Sequence, residues 1–225
     1  MNDPVDEFQY NCNTCRDHHW VIFEDEVYDC PKCGVEYRMK YLWEYSGIPE
    51  KDRHKTLDAF EVKTEKQKVA FKAIQDIIAD VSQVDLVLLY GPTGTGKSHL
   101  GIASVIHWIQ KGRPARVVRC NEWLDRLRAS FNNSGETTEN LKKELYSTHY
   151  LVLDELSCET PFEWRTMDEV ISRRYERHYP TIVTTNKDML ELREYLPRIV
   201  SRAKDVIQGR KVLLEGEDYR EKGRN

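Results

Sequence analysis

Beyond residue 60 the chain alternates between two hydrophobic patterns. Short, nearly all-apolar runs stand at "DLVLLY" (85–90), "ARVVRC" (115–120), "YLVLDEL" (150–156), "TIVTTN" (181–186) and "KVLLEG" (211–216). Runs of this kind are the mark of strands buried on both faces. The segments between them space their apolar residues as helices do. "TEKQ" (Thr64 to Gln67) matches a capping box, and Ala70, Ile74, Ile77, Ile78 and Val81 follow at helical spacing. A helix over 97–110 turns Ile102, Val105, Ile106 and Ile109 inward. "NEWLDRLRASF" (121–131) reads as a helix opened by Asn121, and "EWRTMDEVISRRYERH" (163–178) as one stopped by Pro180. "NNSGETTEN" (132–140) reads as a polar loop. The alternation predicts an α/β fold, a mostly parallel five-stranded sheet with helices on both faces.

The head of the chain follows neither pattern. Residues 1–40 are rich in Cys, aromatic and acidic residues, and 41–60 form a connector with Pro49 and little periodicity, leaving 61–225 as the α/β core. Cys12-x-x-Cys15, fourteen intervening residues, then Cys30-x-x-Cys33 is close to zinc-ribbon spacing. Pro31 and Gly34 suit the sharp turn of the second pair. Four thiolates would close a tetrahedral Zn²⁺ site, with His18 or His19 as an alternative ligand and free thiols as the bland reading. A segment this short buries little core, so zinc would supply its folding energy. Cys120 and Cys158 stand alone and read as ordinary cysteines.

The core carries a phosphate-binding motif. "GPTGTGKS" (Gly91, Pro92, Thr93, Gly94, Thr95, Gly96, Lys97, Ser98) fits G-x-x-x-x-G-K-[ST], follows an apolar strand and opens a helix. Its glycines let backbone N–H groups close around phosphate, aided by the helix N-terminus. Lys97 would reach the outer phosphates of ATP and Ser98 a Mg²⁺ ion. Asp154 and Glu155 end the strand "YLVLDEL", where α/β sheets place ligands. Asp154 suits the hold on Mg²⁺ and Glu155 the activation of water; the plainer reading is two carboxylates capping the next helix. Asn186, closing "TIVTTN", is a candidate to orient that water, or a simple turn former. Thr56 to Phe60 is the candidate stretch for reading adenine.

Arg198 and Arg202 in "RIVSR" lie four apart on one helical face, and no carboxylate stands between Glu194 and Asp205 to answer them. These motifs, in this order, resemble the AAA+ ATPases, and more closely the bacterial and phage helicase loaders of the DnaC/DnaI type. The likeness covers roughly 45–220 and rests on "SGIPEKDRHKTLDAF", "YGPTGTGKSHL", "YLVLDEL", "ISRRYERHYPTIVTTN", "LPRIVSR" and a late "DYR". It implies that Arg202 acts as an arginine finger on the ATP of a neighbouring subunit and that Arg198 supports it or contacts the same nucleotide. It also implies that Arg220 is a sensor-2 arginine, a match carried by "DYR" alone. A solvated basic face is the competing reading of the arginine pair. The resemblance further implies a replicative hexameric helicase gripped by the zinc head; a trans arginine makes hydrolysis conditional on assembly and slow in the chain alone, and single-stranded DNA is a second candidate partner, argued from a basic stripe. Similar cores serve the IstB-type helpers of transposition, which implies duplex DNA and a transposase instead. A nucleotide-gated binding module without hydrolysis is the third reading.

Charge refines the partners. The chain carries −4 overall. Residues 1–60 hold 7 Lys and Arg against 13 Asp and Glu, a net −6, which leaves +2 for the rest. An acidic head favours a protein partner over nucleic acid. For DNA, Arg165, Arg173, Arg174 and Arg177 with Trp164 and Tyr175 offer a basic stripe on one helix, if it is not simply a solvated face. No apolar run is long enough to span a membrane, and "MNDPVDEFQY" is no signal peptide. A cytoplasmic protein is expected, its cysteines reduced or metal-bound. Only 39 residues follow Asn186, too few for a full helical lid and a further DNA-reading domain.

Overall fold

The structure, a computed structural model, describes residues 11–79, 82–131 and 135–216. Val81 and Arg220 lie outside the described residues. A hairpin of β1 (Trp20–Phe23) and β2 (Glu26–Asp29) opens the chain. Glu24 and Asp25 turn it with φ of +49° and +64°, the left-handed pair that a two-residue hairpin loop requires. Helix α1 (Gly34–Tyr45) leads to the connector, which holds a short 3-10 turn at Glu50–Asp52. The core then runs α2 (Glu65–Ile78), β3 (Leu86–Tyr90), α3 (Lys97–Gln110), β4 (Ala115–Arg119), α4 (Cys120–Ser130), α5 (Thr138–Ser147) and β5 (Tyr150–Asp154). It closes with α6 (Pro161–Glu176), β6 (Thr181–Thr185), α7 (Met189–Tyr195), α8 (Pro197–Arg202) and β7 (Gly209–Leu213).

Strands β3 to β7 form one parallel sheet in the order β4-β5-β6-β3-β7, as the alternating pattern predicts. Successive strand residues face opposite layers. Val87 and Leu89 pack with α2 and α3, whereas Leu86 and Leu88 pack with α4, α5, α6 and α8. Each fully buried Leu or Ile contributes about 1.5–3 kcal/mol. Edge strand β4 is covered by the connector, where the Val117 N–H donates to the Ser46 carbonyl at 2.8 Å.

Several boundaries differ from the sequence expectation. Asn121 is not the cap of α4: the helix starts at Cys120, which is fully buried and draws the turn in one residue early. The polar loop is shorter than expected. Thr137 accepts from the Asn140 N–H at 3.2 Å and opens α5, whose Leu141 and Leu145 are buried. The helix before Pro180 begins at Pro161, with Thr160 and Glu163 forming a capping box.

Candidate functional site

The ends of β3, β5 and β6 bring the nominated core residues to one rim of the sheet, where strand order reverses around β3. A cleft of about 380 Å³ opens there, walled by Thr93, Gly94, Gly96, Lys97, Ser98, Glu155 and Asn186. The loop between β3 and α3 depends on its glycines. Gly96 has φ +100°, and a Cβ there would stand 2.7 Å from the Phe60 ring; at Gly91, φ +132°, it would stand 2.1 Å from the Leu214 carbonyl oxygen. Lys97 is buried and donates to the carbonyls of Gly91 at 2.8 Å and Pro92 at 2.5 Å, which holds its ammonium across the loop.

Asp154 is buried and Glu155 exposed, with Glu155 in a left-handed conformation at φ +57°. That conformation costs of order 1–3 kcal/mol and has to be held from outside. Thr184 holds it: its hydroxyl donates to Asp154 Oδ1 at 2.6 Å and accepts from the Glu155 N–H at 2.9 Å. Its carbonyl accepts from the Leu156 N–H at 2.8 Å. Thr184 stands in "TIVTTN" (181–186), yet sequence reasoning nominated only Asn186. The signal available was a hydroxyl at a buried position of a strand neighbouring β5. Ser98, Asp154 and Glu155 also meet along a second cleft of about 320 Å³. This hydroxyl and carboxylate set is a hard-oxygen set of the kind Mg²⁺ takes.

Phe60, Ala59 and Lys55 of the connector complete the wall of the first cleft. Phe60 meets His99 edge-on at 5.3 Å. His99 Nε2 donates to the Thr56 carbonyl at 2.9 Å, and burial lowers the imidazole pKa, in keeping with a neutral ring. The stretch offered for adenine is thus placed against the phosphate loop.

In the head, the Sγ atoms of Cys12, Cys15, Cys30 and Cys33 lie within 4.8 Å of one another. The Cys12–Cys30 and Cys15–Cys33 separations are 3.8 and 3.4 Å. Four Zn–S bonds at tetrahedral angles require S···S of about 3.8 Å, so the donor set fits zinc. The Cys15 and Thr14 backbone N–H groups bring the Cys12 thiol down to about 6, while burial and the neighbouring sulfurs push Cys33 up. Thiols so close together cannot all ionise without a cation between them. His19 stands beside the group, its Nδ1 3.4 Å from Cys33 Sγ and its ring stacked on Tyr37 at 3.7 Å.

Arg198 and Arg202 lie on α8, as their spacing suggests, but carboxylates do answer them. Asp168 and Glu176, both on α6, pair with Arg198 and Arg202 respectively, the second pair at 2.7 Å. Arg202 also covers the Tyr175 ring at 5.0 Å. The stripe on α6 is broken. Arg174 is fully buried and donates to the carbonyls of Leu145, Thr148 and Pro180 and to Thr181 Oγ1, and Trp164 is buried as well. Arg165, Arg173 and Arg177 remain exposed. Two aromatics to which the sequence reading gave no role are Phe131 and Phe162, 59% and 43% exposed, in edge contact at 5.4 Å.

A phosphate loop, paired acidic residues and a polar strand end, set on a parallel sheet in this order, make up a P-loop nucleotide-binding core with the AAA+ fold. Residues 38–224 match the IstB-like ATP binding protein family, and the chain belongs to it. It is similar to the replicative helicase loader DnaC of Escherichia coli K12, 24% identical over 73% of this chain and 69% of that one. It is also similar to the insertion sequence IS5376 putative ATP-binding protein of Geobacillus stearothermophilus, 28% identical over 74% and 68%. The crystal structure of DnaI shares the fold, with a TM-score of 0.64 at 17% identity over 79% of this chain and 98% of that one.

Proposed function

We propose that this protein is an ATP-dependent loader of a replicative DNA helicase, acting in the cytoplasm and using ATP as an assembly switch. Its zinc head docks on the hexameric helicase. The observation that carries this reading is the surface of the head. Trp20, Ile22, Phe23, Val27 and Tyr28 of the hairpin are all exposed, 45–68%, on a segment with acidic net charge. An apolar, acidic surface suits a protein partner and not a phosphate backbone.

In the core, Ser98 and Asp154 hold Mg²⁺, Lys97 and the loop N–H groups hold the phosphates, and Glu155 takes a proton from the attacking water that Asn186 orients. Arg202 completes the neighbour's site, with Arg198 in support, once each leaves its carboxylate on α6. Hydrolysis therefore waits on assembly and is slow in the isolated chain. Arg220 is the candidate sensor-2 residue. Single-stranded DNA runs along the exposed face of α6, stacking on Phe131 and Phe162 beside Arg165.

Capture of the source organism's replicative helicase by the full chain, set against Ile22→Ser/Phe23→Ser, tests the reading. Loss of capture in the variant with ATP binding intact supports it; equal capture by both sinks the head's role. The similarity to an insertion-sequence ATP-binding protein favours one rival, a transposition helper. No capture at all, with duplex DNA retained under ATP, would select it.

A further inference from the structure

Three residues, Lys55, Ser98 and Glu155, line both the phosphate-loop cleft and the second cleft beside it. Two of them belong to the nucleotide machinery. Lys55 comes instead from the connector, and its presence there is not accidental packing. The segment is fixed to α3 on its C-terminal side by the His99 to Thr56 hydrogen bond and by Phe60 over Gly96. Lys55 is thereby carried to the mouth of the site, where its side chain keeps 28% of its surface exposed.

Its present partner is Asp52, 2.7 Å away at the end of the 3-10 turn, with a side chain only 12% exposed. Burial works to raise the Asp52 carboxyl, but Lys55, Lys51 and Arg119 outweigh it and hold it below the ordinary value. Arg119 lies 3.7 Å from the other carboxylate oxygen. Asp52 would therefore not be left as an unpaired buried charge if Lys55 swung away, the outcome that makes most such exchanges costly. A lysine on a flexible four-carbon stem is suited to changing partners in this way.

We propose that Lys55 is a further phosphate-contacting residue of the nucleotide site, held on Asp52 and transferred to the phosphates of bound ATP. The exchange ties nucleotide binding to the connector, and through α1 to the zinc head. This rests on the ATP-binding reading of the cleft.

The test is the affinity of the full chain for a fluorescent ATP analogue with Mg²⁺, with the thermal midpoint measured alongside. Lys55→Ala is expected to weaken binding about ten-fold, the loss of one charge-assisted contact. Asp52→Asn releases Lys55 and leaves affinity equal or tighter. Lys51→Ala, which removes a cation lining only the second cleft, stays within about two-fold because exposed charge is screened. Unchanged affinity in Lys55→Ala, equal weakening in Lys51→Ala, or weakening in Asp52→Asn would each overturn the proposal. In those cases the Lys55–Asp52 pair merely braces the connector, and its loss appears only in the thermal midpoint. Failure of the wild-type chain to bind the analogue overturns the ATP reading itself.

Discussion

At the scale of single residues, two fully buried side chains that were not nominated for the nucleotide site hold the framework around it. Thr184 joins Asp154, the last residue of β5, and Glu155, which follows it, through one hydroxyl, and that hydroxyl takes the N–H of the left-handed Glu155. Thr184→Val keeps the shape and removes the hydroxyl, so Asp154 and Glu155 lose their shared anchor. Hydrolysis by the assembled protein should fall about ten-fold or more while ATP affinity stays close to wild type, a loss in kcat rather than KM. Thr184→Ser should restore most of the rate. Arg174 is the second case. Its guanidinium meets the last carbonyls of α5 and the start of β6, and burial pulls its pKa below the ordinary value. Arg174→Met takes the guanidinium donor from the Leu145 and Thr148 carbonyls, while the Pro180 carbonyl keeps the Leu151 N–H, and should cost roughly 3 kcal/mol in urea unfolding. Arg174→Lys should recover little, because a compact ammonium cannot span carbonyls arranged for a planar fork.

Elements differ in how openly the sequence declares them. The inner strands β3, β5 and β6 were legible because they are buried on both faces and read as largely apolar runs; the edge strands β4 and β7 carry Arg and Lys at half-buried positions, and β7 begins at Gly209, two residues before its apolar stretch. The phosphate loop and the paired cysteines were legible because their chemistry fixes their spacing. Helix α5 was not: its buried face rests on Leu141, Leu145 and Tyr146 behind a polar stretch, too few positions to establish a period. The hairpin was hidden by its exposure, since β1 and β2 carry apolar residues on both faces and no alternation. The partners of Arg198 and Arg202 escaped because Asp168 and Glu176 stand on another helix, brought close only by the packing of α6 on α8. The connector adds a pH-dependent element. Burial lowers the pKa of His99, whose Nε2 donates to the Thr56 carbonyl of the connector. A base whose folded pKa is depressed favours the folded state above its unfolded pKa, about 6.5, and that stability is lost as pH falls toward the folded value. The thermal midpoint should therefore decline on acidification below that point, and His99→Gln should decline less over the same range.

For the molecule as a whole, the pairing of α6 with α8 turns the question of assembly into one that subunit mixing can decide. Arg202 is engaged by Glu176 and by the Tyr175 ring within its own chain, while Glu155 opens to the cleft at the end of β5. If Arg202 serves the neighbour's ATP, each active site is built from two chains, and a chain can fail in two separable ways. Glu155→Gln loses its own water-activating carboxylate but keeps an intact arginine for the next subunit. Arg202→Ala keeps an intact acidic site but offers its neighbour no arginine. Each variant alone should hydrolyse ATP at no more than about one-hundredth of the assembled wild-type rate, given what an arginine finger contributes. Mixed in equal amounts, they should regain a substantial part of it, because some interfaces then join a good Glu155 to a good Arg202. Steady-state hydrolysis across a series of mixing ratios measures this directly, with a maximum near equal proportions as the expected outcome. A flat profile at the level of the separate variants would place Arg202 in service to its own chain. The basic face of α8 would then be a structural partner of α6 and nothing more.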